Sequence, residues 1–91
     1  MLSARIGVSS PHPNPFTDRT MFTLQPAAAG PVRAVLYDLL GRERGVLFDG
    51  FLPAGAVQPV TIEAGDLPAG VYVYRVESGG GVVAGKVVLR R

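Results

Sequence analysis

The chain has no cysteine, no tryptophan and a single histidine among its 91 residues. Without cysteine there is no disulfide framework, no thiolate metal site and no cysteine nucleophile. A small fold of this kind is held by packing alone. The one histidine, His12, stands between Pro11 and Pro13, where it reads as a solvated loop residue. Metal sites cluster histidines or carboxylates, and no such cluster shows in the sequence. The carboxylates Asp18, Asp38, Glu43, Asp49, Glu63, Asp66 and Glu77 are scattered, and a chain this short offers little cleft for an acid pair. Ser9, Ser10 and Ser78 have no neighbouring base. Gly79 to Gly81 neither opens a helix nor leads to Lys-Ser/Thr, so it reads as a hairpin turn rather than a phosphate loop.

Charge is equally scarce. Charged residues make up 18 % of the chain and the net charge is +2, spread along its length. A nucleic-acid footprint needs a concentrated basic face. No apolar run approaches the roughly 18 residues of a membrane-spanning helix, and "MLSARIGVSS" lacks the apolar stretch of a signal peptide. No catalytic, cofactor-binding or metal residue is therefore assigned. Neither nucleic acid nor a small-molecule substrate is expected as a partner.

What is present is apolar area, 47 % of residues, divided by 12 glycines and 8 prolines. That density breaks long helices and suits short elements joined by turns. Apolar residues alternate with period two in seven runs: Arg5 to Val8, Arg19 to Gln25, Val32 to Leu39, Glu43 to Phe48, Ala56 to Glu63, Val71 to Glu77 and Val82 to Arg90. Asp49-Gly50 reads as the turn that closes the fourth run. Three prolines in "PHPNP" force an extended crossing after the first. The fold expected is all-β, a seven-stranded antiparallel immunoglobulin-like β-sandwich with no disulfide. It forms one domain over residues 1–91, with 1–5 read as a linker or as residues added ahead of it.

Leu-Pro-Ala-Gly occurs twice, from Leu52 and from Leu67. In each copy the leucine plugs an end of the core, the proline presets a turn and the glycine supplies a conformation closed to other residues. The fifth run lies between the copies, so they should sit at opposite ends of the sandwich. After the second copy, Gly70 and Tyr72 fit a tyrosine corner, in which the hydroxyl returns to upstream backbone. With Tyr72 and Tyr74 facing the core, only Tyr37 remains as a sugar-stacking platform.

Four motifs in order, "NPF" (Asn14 to Phe16), "VLYDLLGRE" (Val35 to Glu43), "LPAGVYVYRV" (Leu67 to Val76) and "GKVVLRR" (Gly85 to Arg91), resemble the C-terminal sorting domain of the type IX secretion system of Bacteroidota and relatives. The resemblance covers Ile6 to Arg91. It implies a non-catalytic address label at the end of a larger cargo polypeptide. It also implies an outer-membrane translocon and a sortase as partners, and passage through the periplasm to the cell surface or beyond. Asn14, Pro15 and Phe16 match the family's early motif, and Asp38, Gly41 and Arg42 its turn. Gly70 and Tyr72 match the corner, while Lys86, Val87, Val88 and Leu89, with Arg90 and Arg91, match the terminal sorting strand. Many members carry Lys-Lys and a final Lys where this chain has Gly85-Lys86 and Arg90-Arg91. If the last strand is an open sheet edge, a partner can pair with it by strand addition. The alternatives are an immunoglobulin-like spacer or carbohydrate-binding module of a secreted enzyme, or an assembly domain like that of flagellar hook-capping proteins.

Overall fold

The computed structural model describes residues 6–79 and 81–91, none of them helical. The expectation for residues 1–5, and the middle glycine of the last hairpin, lie outside the described residues. Seven strands follow in order: β1 (Ile6–Val8), β2 (Arg19–Pro26), β3 (Gly30–Asp38), β4 (Glu43–Leu52), β5 (Gln58–Glu63), β6 (Gly70–Ser78) and β7 (Gly81–Leu89). They form a three-stranded sheet, β1-β2-β5, and a four-stranded sheet, β4-β3-β6-β7. Every strand pair is antiparallel. The two layers share one core. Phe22, Leu24, Val60 and Ile62 enter it from the first sheet; Val32, Ala34, Leu36, Tyr72, Tyr74, Val76, Val87 and Leu89 enter from the second. This is the immunoglobulin-like sandwich that period-two patterning predicts.

The period-two rule holds because successive strand side chains point to opposite faces. Along β6, Tyr72, Tyr74 and Val76 are buried while Arg75 and Glu77 are exposed. In β2, Thr20, Phe22 and Leu24 are buried, and Thr20 brings into the core a hydroxyl with no hydrogen-bond partner.

One turn is misplaced in the sequence reading. Asp49 and Gly50 do not close β4; they pair with Arg33 and Val32, and the strand runs on to Leu52. Local turn propensity yields here to the ladder, since β3 extends back to Gly30 and needs a partner along its whole length. Arg33 adds an ion pair to Asp49 at 3.7 Å. The turn comes instead at Pro53 to Ala56, where the Ala56 N–H donates to the Pro53 carbonyl and Gly55 sits at φ 78°. Pro53 is thus the first residue of that turn, not its preset second.

The two Leu-Pro-Ala-Gly copies do lie at opposite ends. The first is tied to the end of β2 through the Gly55 N–H and the Pro26 carbonyl (2.8 Å). The second follows Ala64, whose N–H donates to Asp18 before the start of β2 (2.8 Å). Leu52 is buried in the core and Leu67 packs half-buried against it.

Candidate functional site

A single row of backbone pairings crosses the larger sheet. Asp38, the last residue of β3, pairs with Tyr72 of β6, and Tyr72 pairs with Val87 of β7. Beyond β7 stands the crossing segment between β1 and β2. Its Asn14 side chain grips the outer edge of β7, the carboxamide oxygen accepting from the Val88 N–H (2.9 Å) and its nitrogen donating to the Lys86 carbonyl (3.3 Å). Phe16 continues the grip with its backbone. Its N–H donates to the Val88 carbonyl, and its carbonyl accepts from the Arg90 N–H, each at 2.8 Å. Four motifs spread between Asn14 and Arg91 therefore converge on one end of one sheet.

Each part of the row has a local cause. The β3–β4 turn is organised around Asp38. One carboxylate oxygen accepts from the Leu40 and Arg42 N–H groups (2.9 and 3.0 Å). The other meets the guanidinium groups of Arg42 (2.8 Å) and Arg44 (3.3 Å). Gly41 takes φ 82°, a left-handed conformation that β-carbon sterics disfavour in other residues. This locked turn holds Leu39 and Leu40 out in solvent, 66 % and 79 % exposed. The Arg42 amide first, with the Arg42 guanidinium, the Leu40 amide and Arg44, outweighs partial desolvation and draws the Asp38 carboxyl from 3.8 down to about 2. A carboxyl shifted down in the fold stabilises it fully above its ordinary value, and that contribution is lost as pH falls through about 2. Thermal melts carried into acid should therefore show a loss of stability below about pH 4 that the Asp38→Asn variant lacks. Parallel curves for the two proteins would contradict this role.

At the start of β6 the Tyr72 hydroxyl donates to the Pro68 carbonyl, the geometry of a tyrosine corner. At the chain's end, Arg91 is not a loose basic tail. Its guanidinium donates to the carbonyls of Gly65 and Leu67 at 2.8 and 2.6 Å, closing the β5–β6 loop.

The terminal strand divides into two sets of residues. Val87 and Leu89 are 0 % and 1 % exposed and belong to the core. Lys86 and Arg90 are exposed and Val88 half-buried. Phe16, 1 % exposed, is likewise a core residue, while Asn14 and Pro15 are exposed. The open edge expected of the last strand is open only in its first half, because Asn14 and Phe16 occupy the second. The sequence signal for that grip was present in the paired motifs, but their 74-residue separation conceals the contact. Among the described residues no three His, Asp or Glu side chains gather as metal ligands would.

The family model for the secretion system C-terminal sorting domain matches residues 11–90, from the proline crossing to the penultimate arginine. The chain belongs to that family, the C-terminal sorting domains of type IX secretion. No curated protein and no solved structure gives a significant match. The match spans the whole transverse row and the clasp at its outer edge. A sorting domain of this family marks a protein for secretion out of the cell, a task of addressing rather than catalysis.

Proposed function

We propose that residues 1–91 act as a single sorting domain attached to a larger cargo, recognised in folded form by the type IX outer-membrane translocon after the cargo reaches the periplasm. Recognition uses the outward residues of the terminal strand, Lys86, Val88 and Arg90, on a platform that Asn14, Phe16 and Arg91 hold in place. A sortase then acts on the exported protein at the cell surface. The observation that carries this reading is the convergence of the motifs. Asp38, Tyr72 and Val87 share one row, and Asn14 and Phe16 clasp its outer edge. Motifs far apart in the sequence come together beneath and beside the terminal strand only when the domain is folded.

Charge supports the same surface. Arg19, Arg33, Arg42, Arg44 and Arg75 are each paired with a carboxylate. Among the described residues Lys86, Arg90 and Arg91 are not. Arg91 is held by the Gly65 and Leu67 carbonyls, which leaves Lys86 and Arg90 as the exposed cations that can steer and orient an acidic partner.

The test is a fusion of the 91-residue chain to the C-terminus of a periplasmic reporter, in a cell that has a type IX apparatus. The reporter is expected outside the cell and absent outside when the translocon is deleted. Retention of the folded fusion in the periplasm would overturn the assignment.

A further inference from the structure

The sandwich has four sheet edges, the outer sides of β1, β5, β4 and β7. Unpaired edges invite strand addition, and proteins blunt them with shortness, proline, bulges or charge. β1 has only three residues. β5 carries Pro59 and so lacks one donor. β4 is irregular, with register shifts against β3 at Ala34/Val35 and Leu36/Tyr37, and bears Glu43, Arg44 and Asp49. β7 is different. Its register against β6 runs from Ser78↔Gly81 to Gly70↔Leu89 with no shift, and it holds no proline. The Lys86 carbonyl, both Val88 groups and the Arg90 N–H point outward to the Asn14–Phe16 clasp. Alternation in an antiparallel ladder then aims the N–H and C=O of Val82 and Ala84, and the Lys86 N–H, outward as well. Nothing among the described residues bonds them there.

We propose that this half-edge, Val82 to Lys86, receives an extended acidic segment of a partner protein as an added strand. The choice of occupant follows from charge. Lys86 stands at one end of the open stretch on the solvent face, and exposed Arg90, likewise without a carboxylate partner among the described residues, continues beyond it. A partner strand places alternate side chains beside Val82, Ala84 and Lys86, so it carries a carboxylate opposite Lys86. Ala84 is small, and both it and Val82 are exposed beside the open edge. The clasp fixes where the added strand stops, because Asn14 already occupies the edge at Val88. The inference deepens the sorting reading, on which it rests for placing the partner in the export machinery.

Amide NMR of the 91-residue chain titrated with a (Val-Glu)4 peptide tests it, with (Val-Lys)4 as the counterpart. The Val82 and Ala84 amides are expected to shift and gain exchange protection, while those of Val88 and Arg90, already bonded, change little. The glutamate peptide should bind about tenfold more tightly than the lysine peptide, and Lys86→Glu should abolish the preference. Backbone N-methylation of the peptide at alternate positions should remove binding. Unmoved Val82 and Ala84 amides at millimolar peptide would overturn the proposal. So would equal affinity for both peptides, or shifts that follow protein concentration alone, which would place a second copy on the edge. Export of the reporter without this binding would sink the strand-addition inference and leave the sorting assignment standing; binding without export would do the reverse.

Discussion

Phe16→Ala is expected to cost about 3–5 kcal/mol, the range for truncating a fully buried phenylalanine. The side chain is 1 % exposed and lies in the shared core. It also sits where the chain changes sheets. His12 still bridges Met21 of β2, whereas Phe16 bridges Leu89 of β7. Removing the ring leaves a cavity under the terminal strand and loosens the backbone grip on Val88 and Arg90. A domain of this size has a total stability on the order of 5–14 kcal/mol, so the variant loses about a fifth of it or more. The melting temperature should fall by about 12–40 °C in a thermal scan, at roughly 4–8 °C per kcal/mol. Phe16→Leu should be much milder, because it keeps most of the volume and all of the backbone contact. A Phe16→Ala protein that melts within about 5 °C of the parent would show that the crossing is peripheral to the fold.

The second large effect belongs to a glycine. Gly85 lies directly opposite Tyr74 in the β6–β7 ladder, and the tyrosine ring lies across it. A β-carbon at Gly85 would overlap the Tyr74 hydroxyl oxygen and the ring carbon that bears it. The ring has little room to retreat. It is 7 % exposed and stacks on Phe22 of the opposite sheet, with centroids 4.9 Å apart. Burial also raises the pKa of its hydroxyl, since the phenolate is poorly solvated there. An aromatic covering a cross-strand glycine compensates for the side chain the glycine lacks. Gly85→Ala should therefore destabilise by about 1–3 kcal/mol, the usual cost of overpacking. The penalty should shrink sharply in a Tyr74→Leu background, where the clashing ring is gone. Additive costs in that double-mutant cycle would contradict the steric explanation.

These sites show which features a sequence reveals. The strands were readable because one-sided burial imposes period two, and Tyr72, Tyr74 and Val76 keep it cleanly. The β3–β4 turn was readable because its parts are local: Asp38 needs only the amides two and four residues ahead and a glycine at positive φ. Asp49-Gly50 misled because turn chemistry is a local preference, and the register with Arg33 and Val32 is not local. The division of the terminal motif was hidden for a similar reason. "KVVLRR" looks uniform on paper, yet Val87 and Leu89 are core while Lys86 and Arg90 face solvent. Which backbone groups of that strand are covered depends on Asn14, at the other end of the chain.

This division changes how the signal is to be tested. Deleting residues 86–91 removes two core side chains together with the basic ones, so loss of export would report unfolding as readily as lost recognition. The direct measurement is export of the reporter fusion carrying Lys86→Glu and Arg90→Glu, both exposed positions. Surface changes of this kind usually alter stability by about 0.5 kcal/mol or less. If the folded terminal strand is read through its outward cations, export falls on the order of tenfold or more while the melting temperature stays within about 8 °C of the parent. Export at the parental level from that charge-reversed, folded domain would contradict it.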